Sequence, residues 1–175
     1  VPENFLLYTS DFVKELGLFK VAKIIPGCGT RQETVSKCLG EVNSDADFVL
    51  IHDGARPFAC SEDILRCIDD AEKHGAAALG AKCADTLKKA DGDKFILETV
   101  DRESVYRIYT PQIFEKNLIT AAHKFAYDNK IAATDDCALA QQLGKKVKIT
   151  ETDKNNLKIT TRDDISYAEA VLKWE

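Results

Sequence analysis

Hydrophobic residues follow two different spacings along this chain, and the two kinds of segment alternate. Short apolar runs such as FVLIH at 48–52 predict strands, whereas apolar residues three or four positions apart predict helices. The run at 48–52 is typical of a strand buried on both faces of a parallel sheet. The predicted helices cover 5–16, 30–42, 61–74, 112–128, 134–143 and a last segment from 161; the predicted strands cover 20–25, 48–52, 76–83, 146–150 and 156–160.

This alternation predicts an α/β fold, a three-layer sandwich around a mainly parallel sheet, in a single domain over residues 1–175. A length of 175 residues fits one domain, since domains commonly hold roughly 100–200 residues. The segment 84–109 breaks the alternation, and Asp91-Gly92 predicts a turn between two extended pieces there. Sheets of this kind bind ligands beyond the carboxyl ends of their strands, so we expect the functional residues at those ends.

Composition narrows the classes of function. A net charge of −5 and a pI of about 5.3 disfavour non-specific binding to nucleic acid, which needs a broad basic face. The six cysteines include no C-x-x-C pair, and no Cys/His spacing resembles a zinc site. We therefore expect reduced thiols, no metal held by protein ligands and a cytoplasmic location. No apolar run of about 18 residues predicts a membrane span.

The end of the 48–52 strand carries the first candidate site. His52 and Asp53 follow the apolar run, Gly54 can take a positive φ, and Pro57 biases Arg56 to extended backbone geometry. The loop would then present a carboxylate and a guanidinium a few ångströms apart. Two interpretations stay open at this point: a structural ion pair that braces the loop, or a ligand site.

Two further segments could join this loop. Pro111 holds Thr110 extended and suits the first position of a helix, which is also what an ordinary helix start would show. Lys158 lies within the predicted strand 156–160, where a lysine either faces inward with a partner or marks an edge strand. If all of these segments end strands, Asp53, Arg56, Thr110 and Lys158 lie near one face.

At these residues the chain resembles a known family. The segments VLIHDGARPF, ADTLK, VDRESVYRIYTPQIF, ATDDCALA and NNLKITTRDDISYAEA are similar, in order and spacing, to the successive motifs of the 2-C-methyl-D-erythritol 4-phosphate cytidylyltransferases. GCGTRQETVSKCL resembles the segment that precedes the first of these motifs. The resemblance covers nearly every residue. It implies a Rossmann-like nucleotidyltransferase that works as a homodimer through a β-arm at about 86–108.

The resemblance also implies roles for individual residues. Arg102, reaching from the β-arm into the neighbouring subunit, and Lys158 would hold the substrate phosphate for in-line attack, and Asp53 would lie between the sugar alcohol and the nucleotide. Arginine grips phosphate through two bonds and lysine adds a compact charge, so these residue types suit the task. Further substrate contacts are implied for Arg56, Thr86, Thr110, Gly54 and Ala55, and contacts near the cytidine for Gly29 and Thr34, besides Asp53.

The resemblance implies a reaction that transfers a cytidylyl group from CTP to 2-C-methyl-D-erythritol 4-phosphate, gives the CDP-alcohol and releases pyrophosphate, with Mg²⁺ held mainly by the triphosphate. Two alternatives remain: a ribitol-5-phosphate cytidylyltransferase, whose loop usually has valine where Ala55 stands, and a non-catalytic dimeric binding module. The glycine-rich loop with which the family opens has no counterpart here. Together with a start at Val1 and the absence of methionine, this leads us to expect an N-terminally incomplete domain whose triphosphate-binding loop is missing.

Overall fold

The structure, a computed structural model, describes residues 1–173. Its helices are α1 (Leu6–Glu15), α2 (Arg31–Leu39), α3 (Ser61–His74), α4 (Lys116–Asp128), α5 (Asp136–Gln142) and α6 (Arg162–Leu172). Its strands are β1 (Phe48–Ile51), β2 (Ala76–Lys82), β3 (Lys88–Ala90), β4 (Ile96–Thr99), β5 (Tyr106–Glu115) and β6 (Lys148–Glu151). Short 3₁₀ helices cover Glu3–Phe5 and Arg102–Ser104. The predicted mixture of helices and strands is confirmed.

The chain forms two compact units. The first joins Val1–Asp47 to Lys116–Leu143 and contains α1, α2, α4 and α5. The second joins Phe48–Glu115 to the chain from Gly144 onward and contains all six strands with α3 and α6. The single domain over 1–175 stays a prediction.

A four-stranded sheet in the order β1-β5-β2-β6 forms the centre of the second unit. Strand β5 runs antiparallel to both of its neighbours, and only β2 and β6 pair in parallel. Strands β1, β2 and β6 therefore run in the same direction, as expected for a mainly parallel sheet, and β5 alone runs against them. The cause is the connection between β2 and β5, which contains a hairpin and no crossover helix, and parallel neighbours need such a crossover.

The core of this unit packs α3 against the sheet through both small and large side chains. Its buried members are Cys67, Ala71, Ala77, Leu79, Ala81, Tyr109 and Ile113. Burial raises the pKa of the Cys67 thiol to about 11. Helix α3 ends at Gly75, whose φ of +77° reverses the chain directly into β2, as the sequence predicted.

Strand β1 is more exposed than its apolar sequence predicted. Leu50 is 42% exposed, and in the described part of the chain β1 pairs only with β5. The prediction of a strand buried on both faces is wrong for these residues, because solvent reaches the face of the sheet to which Leu50 points. The carboxyl end of β1 nevertheless leads into the HDGARP loop as expected.

The predicted helix at 112–128 starts too early. Strand β5 continues through Pro111 and Gln112 to Glu115, and α4 begins at Lys116. Proline fits here because the register between β2 and β5 shifts between Ala78 and Gly80, so the residues around Pro111 lie at a bulge where no ladder N–H is needed. Thr110 is consequently a strand residue and does not start a helix.

Two predicted strands, 20–25 and 156–160, have no regular strand structure. A strand needs a neighbour for its N–H and C=O groups, and within residues 1–173 the second segment has a single backbone bond of this kind, from the Ile159 N–H to the Ala55 carbonyl at 2.8 Å. Helix α3 also differs slightly from expectation: Ser61 is its first residue, and Cys60 occupies the N-cap position without a capping bond from its side chain.

Local capping signals were accurate elsewhere. Thr30 and Glu33 form a capping box at α2, and Thr161 and Asp164 form one at α6. Four hydrogen bonds from Thr160 and Thr161 lower the pKa of the Asp164 carboxyl to about 2. The first turn of α6 therefore depends on an ionised carboxylate.

The excursion at 84–109 contains the predicted extended pieces. Strands β3 and β4 pair as an antiparallel hairpin, joined by a turn in which the Asp91 carboxylate accepts from the Asp93 and Phe95 N–H groups. We call residues 88–99 the arm hairpin. Among residues 1–173, no helix has the length and apolar character needed to cross a membrane.

Candidate active site

Three chain segments of the second unit meet beside the end of β1. They are the HDGARP loop at 52–57, the middle of β5 at Thr110, and the segment 156–159 that follows β6. The loop and the segment 156–159 are joined by the Ile159–Ala55 backbone bond at 2.8 Å. We call the resulting group the Asp53 cluster: His52, Asp53, Arg56, Thr110, Asn156 and Lys158.

Asp53 is the only carboxylate of this cluster and has two cationic neighbours. The Lys158 Nζ donates to its Oδ2 at 2.8 Å, and the Arg56 Nε lies 3.9 Å from the same oxygen. The Asp53 side chain is 15% exposed, whereas that of Lys158 is 42% exposed. One carboxylate with two cations leaves a surplus of positive charge, and lysine is the member that solvent reaches most easily. An arriving anion can therefore bind Lys158 without opening the cluster.

Arg56 is fixed from three directions. Its Nη1 donates to the Asn156 carbonyl at 2.6 Å, its guanidinium carbon lies 5.0 Å from the centre of the Tyr109 ring, and Asp53 faces its Nε. Burial lowers the pKa of the Arg56 guanidinium, and the charge of Asp53 acts in the opposite direction. An arginine side chain stays protonated under such a shift, so Arg56 is a positioned, permanent cation.

Thr110 links Asp53 to His52. Its Oγ1 accepts from the Asp53 backbone N–H at 3.0 Å and lies 3.0 Å from the His52 Nδ1. The His52 Nε2 lies 3.0 Å from the Arg56 carbonyl, which can only accept, so Nε2 carries a proton and donates to it. In the tautomer with its proton on Nε2, Nδ1 accepts from the Thr110 hydroxyl. Each donor in this series of hydrogen bonds meets an acceptor, and the bonds together hold the turn that contains Asp53.

Asn156 is the member that sequence reasoning missed. Its Nδ2 donates to the Thr110 carbonyl at 2.7 Å, and its own carbonyl accepts from Arg56. The residue is 3% exposed. Asn156 stands two positions before Lys158 in the motif NNLKIT, where the sequence analysis predicted a strand and singled out only the lysine.

Gly54 and Ala55 lie in the loop as predicted, but Gly54 does not use a positive φ. A Cβ added at Gly54 would meet no heavy atom within 4 Å, so open space lies beside this backbone. Glycine is consequently not required here by the turn.

Arg102 and Thr86 lie outside the Asp53 cluster. The Arg102 side chain is 57% exposed, and its contacts are the Ala84 carbonyl at 3.4 Å and Glu103 at 3.9 Å. Thr86 is exposed in the connection between β2 and β3. Within residues 1–173, neither residue makes a hydrogen bond or ion pair with the cluster.

Gly29 and Thr34 belong to the first unit. The Thr34 hydroxyl accepts from the Cys28 N–H and donates to the Thr30 carbonyl, both at 2.9 Å, and so shapes the turn that leads into α2. A Cβ added at Gly29 would lie 3.2 Å from the Glu33 carboxylate, so a larger side chain there would press on the capping box of α2. The role of both residues towards a nucleotide stays a prediction.

The ATDDCALA motif has a structural role in the first unit. Asp136 accepts from the buried His123 ring at 2.9 Å and pairs with Arg31 at 2.8 Å, and Asp135 caps α5 through the Ala138 N–H. In the described part of the chain no three His, Cys, Asp or Glu side chains are arranged to hold a metal ion.

Comparisons with known proteins agree with this architecture and with the motifs. Residues 7–174 match the family described as IspD, 2-C-methyl-D-erythritol 4-phosphate cytidylyltransferase. The protein of that name from Pelotomaculum thermopropionicum is 42% identical over 98% of this chain and 71% of its own length. That from Caldanaerobacter subterraneus is 44% identical over 98% of this chain and 76% of its own length.

Solved structures give the same result. The 4-diphosphocytidyl-2C-methyl-D-erythritol synthase of Anaerococcus prevotii superposes with a TM-score of 0.87 at 33% identity, over 98% of this chain and 78% of that one. The 2-C-methyl-D-erythritol 4-phosphate cytidylyltransferase of Thermus thermophilus gives 0.77 at 34% identity, over 85% and 72%.

The fold and these relatives define a nucleotidyltransferase of the Rossmann-like α/β class. Within that class, the chain belongs to the 2-C-methyl-D-erythritol 4-phosphate cytidylyltransferase family. The resemblance and the fold class predicted from the sequence are thereby confirmed. The roles of the individual site residues stay predictions.

Proposed function

We propose that the Asp53 cluster is the acceptor half of a cytidylyltransferase active site. The chain transfers a cytidylyl group from CTP to 2-C-methyl-D-erythritol 4-phosphate, a step of isoprenoid biosynthesis, as its family membership indicates. A phosphate oxygen of the acceptor attacks the α-phosphorus of CTP, and pyrophosphate leaves. The observation that carries the assignment of the site is the Lys158–Asp53–Arg56 arrangement, with Lys158 as its exposed cation.

The cluster residues have separate tasks in this proposal. Lys158 exchanges part of its contact with Asp53 for the phosphate of the acceptor, and so holds the attacking oxygen. Asp53 then accepts from hydroxyl groups of the polyol and the ribose, since an ionised carboxylate has several acceptor sites. Arg56 stays in place because its guanidinium contacts the Asn156 carbonyl and the Tyr109 ring, and neither contact depends on the ligand. Bringing two mutually repelling anions together in this way is mainly a matter of positioning and of charge stabilisation.

The proposal includes further substrate contacts. We assign Thr110, Gly54, Ala55 and Thr86 to the sugar-alcohol phosphate. We assign Gly29 and Thr34, together with Asp53, to the nucleotide. Open space beside Gly54 leaves room for a ligand to approach the loop backbone.

Arg102 completes the site from a second subunit in this proposal. Its side chain extends into solvent at 57% exposure, next to an arm hairpin whose Phe95, Ile96 and Leu97 are 71%, 67% and 65% exposed. Three adjacent exposed apolar residues on a hairpin are suited to contact with another protein surface. A homodimer formed through this hairpin would cover them and carry Arg102 to the partner's acceptor phosphate.

Magnesium enters the proposal as part of the substrate. Among the described residues, no three His, Cys, Asp or Glu side chains lie close enough together to hold a metal ion, and the Asp53 carboxylate accepts a hydrogen bond from Lys158. We therefore propose that triphosphate oxygens hold Mg²⁺, which neutralises charge there, and no step is assigned to a protein-bound metal. A cytoplasmic location is proposed from six cysteines that are all free thiols.

Pyrophosphate release tests the assignment. The chain is incubated with CTP, Mg²⁺ and either methylerythritol phosphate or ribitol 5-phosphate. We expect turnover with methylerythritol phosphate and at least about tenfold lower kcat/KM with ribitol 5-phosphate, because only one acceptor matches the site. Equal turnover, or turnover of ribitol phosphate alone, would reject the proposed acceptor. Tight ligand binding without turnover would favour the non-catalytic module.

A further inference from the structure

We infer that Asn156 is a positioning residue for the acceptor substrate, acting through Arg56 and Thr110. Asn156 bonds to both of these residues: its side-chain amide donates to the Thr110 carbonyl at 2.7 Å, and its backbone carbonyl accepts from the Arg56 Nη1 at 2.6 Å. It thereby connects the segment 156–159 to β5 and to the HDGARP loop. This inference rests on the proposed function of the Asp53 cluster.

The orientation of the Asn156 amide follows from its partner. A carbonyl oxygen only accepts, so the group that faces Thr110 must be the NH₂, and Oδ1 points elsewhere. That Oδ1 is buried and has no hydrogen-bond partner within residues 1–173. An unsatisfied buried acceptor costs about 1–3 kcal/mol, so asparagine is not the most stable choice at this position.

The same residue links the placement of the two cations. Arg56 donates to the Asn156 carbonyl, and the Nδ2–Thr110 bond ties Asn156 to β5, in addition to the Ile159–Ala55 backbone bond that joins the segment to the loop. Lys158 is two residues further along the same segment and donates to Asp53. Loss of the Asn156 amide therefore releases the two cations relative to each other, while Thr110 keeps its hydroxyl contacts to Asp53 and His52.

Steady-state kinetics of Asn156→Ala test this inference, with Asn155→Ala as the matched control. Asn155 is the same residue type at the adjacent position, but it is exposed and donates to the Tyr167 hydroxyl at 3.0 Å. We expect Asn156→Ala to raise the KM for methylerythritol phosphate about tenfold, because the loss of one hydrogen bond changes an affinity by about that factor. The KM for CTP should stay within about twofold of the wild-type value. Asn155→Ala should leave both KM values within about twofold.

Thermal unfolding separates positioning from stability. Because alanine also removes the unsatisfied Oδ1, we expect the Tm of Asn156→Ala to fall by less than about 4 °C. If the alanine variant does not fold, Asn156→Asp keeps the volume but sets an oxygen against the Thr110 carbonyl, and the same tenfold rise is expected. An unchanged KM for the acceptor in the folded variant, or equal rises for both substrates, would overturn the inference.

A measurement without turnover distinguishes failure of this inference from failure of the proposed function. The Nε–Hε signal of Arg56, assigned in an NMR spectrum by its loss in Arg56→Lys, reports how well the guanidinium is held. We expect its hydrogen exchange to accelerate about tenfold in Asn156→Ala and not in Asn155→Ala. Unchanged exchange would overturn the inference, whereas a wild-type protein without turnover but with accelerated exchange in the variant would remove only the proposed function.

Discussion

The Asp53 cluster and the arm hairpin belong to the same unit but are organised in opposite ways. In the cluster, residues far apart in sequence are joined by short bonds, such as Asp53 to Lys158 and Thr110 to Asn156. In the arm hairpin, contacts are local, such as the Lys89–Glu98 ion pair at 2.5 Å across the two strands. Its three largest apolar side chains, at 95–97, are mostly exposed.

This difference indicates what one chain can organise alone. The cluster reaches a defined arrangement of cations and carboxylate without a ligand, which is what preorganised charge stabilisation requires. The arm hairpin buries almost nothing of its own, so its position would be defined only by what it binds. We therefore expect substitutions in the cluster to act within their own subunit and those near the hairpin to act across subunits.

Lys158→Ala should give the largest loss. It removes the exposed cation that would hold the acceptor phosphate, and removal of one preorganised charge donor costs about 10²–10³ in rate. Pyrophosphate release with saturating CTP measures the effect. Lys154→Ala is the matched control, since Lys154 lies on the same stretch but contacts Cys60 and Glu62 instead, and its loss should be under about threefold. A similar loss in both variants would contradict a specific role for Lys158.

Arg102→Ala should reduce the rate by about 10², because its charge acts at the same phosphate but from a more exposed position. A loss under about threefold would contradict the assigned role. Mixing Arg102→Ala with Lys158→Ala tests whether the residue acts across subunits. If dimers exchange at random, about one quarter of the sites contain both wild-type residues, and the mixture should recover that share of activity. No recovery would place Arg102 in the site of its own chain.

The sequence was most informative where structure is set locally. Thr30, Gly75 and Thr161 mark helix ends through their own bonds or backbone geometry, and all three were predicted. The HDGARP loop was also placed correctly at the end of β1. Residue order and chemistry were sufficient in these places because the partners lie within a few positions of each other.

Predictions failed where a distant segment decides the outcome. Pro111 looked like a helix start because the bulge opposite β2 that accommodates it involves residues about 30 positions earlier. Asn156 was missed because its two partners, Thr110 and Arg56, lie 46 and 100 positions away. A single sequence contains the residues of such a network, but not which of them meet.

Alanine substitutions at two glycines, one in each region, should give the smallest effects and should differ only in the KM for the acceptor. A Cβ at Gly54 in the cluster loop or at Gly92 in the arm hairpin would meet no heavy atom within 4 Å, and neither glycine has a positive φ. Alanine should therefore change the free energy of unfolding by less than about 1 kcal/mol at either position, as measured by urea denaturation. At Gly54 the added methyl occupies space proposed for the acceptor, so its KM should rise by about threefold or more, while Gly92→Ala should leave it unchanged. Equal KM values in the two variants would mean that the acceptor does not approach Gly54.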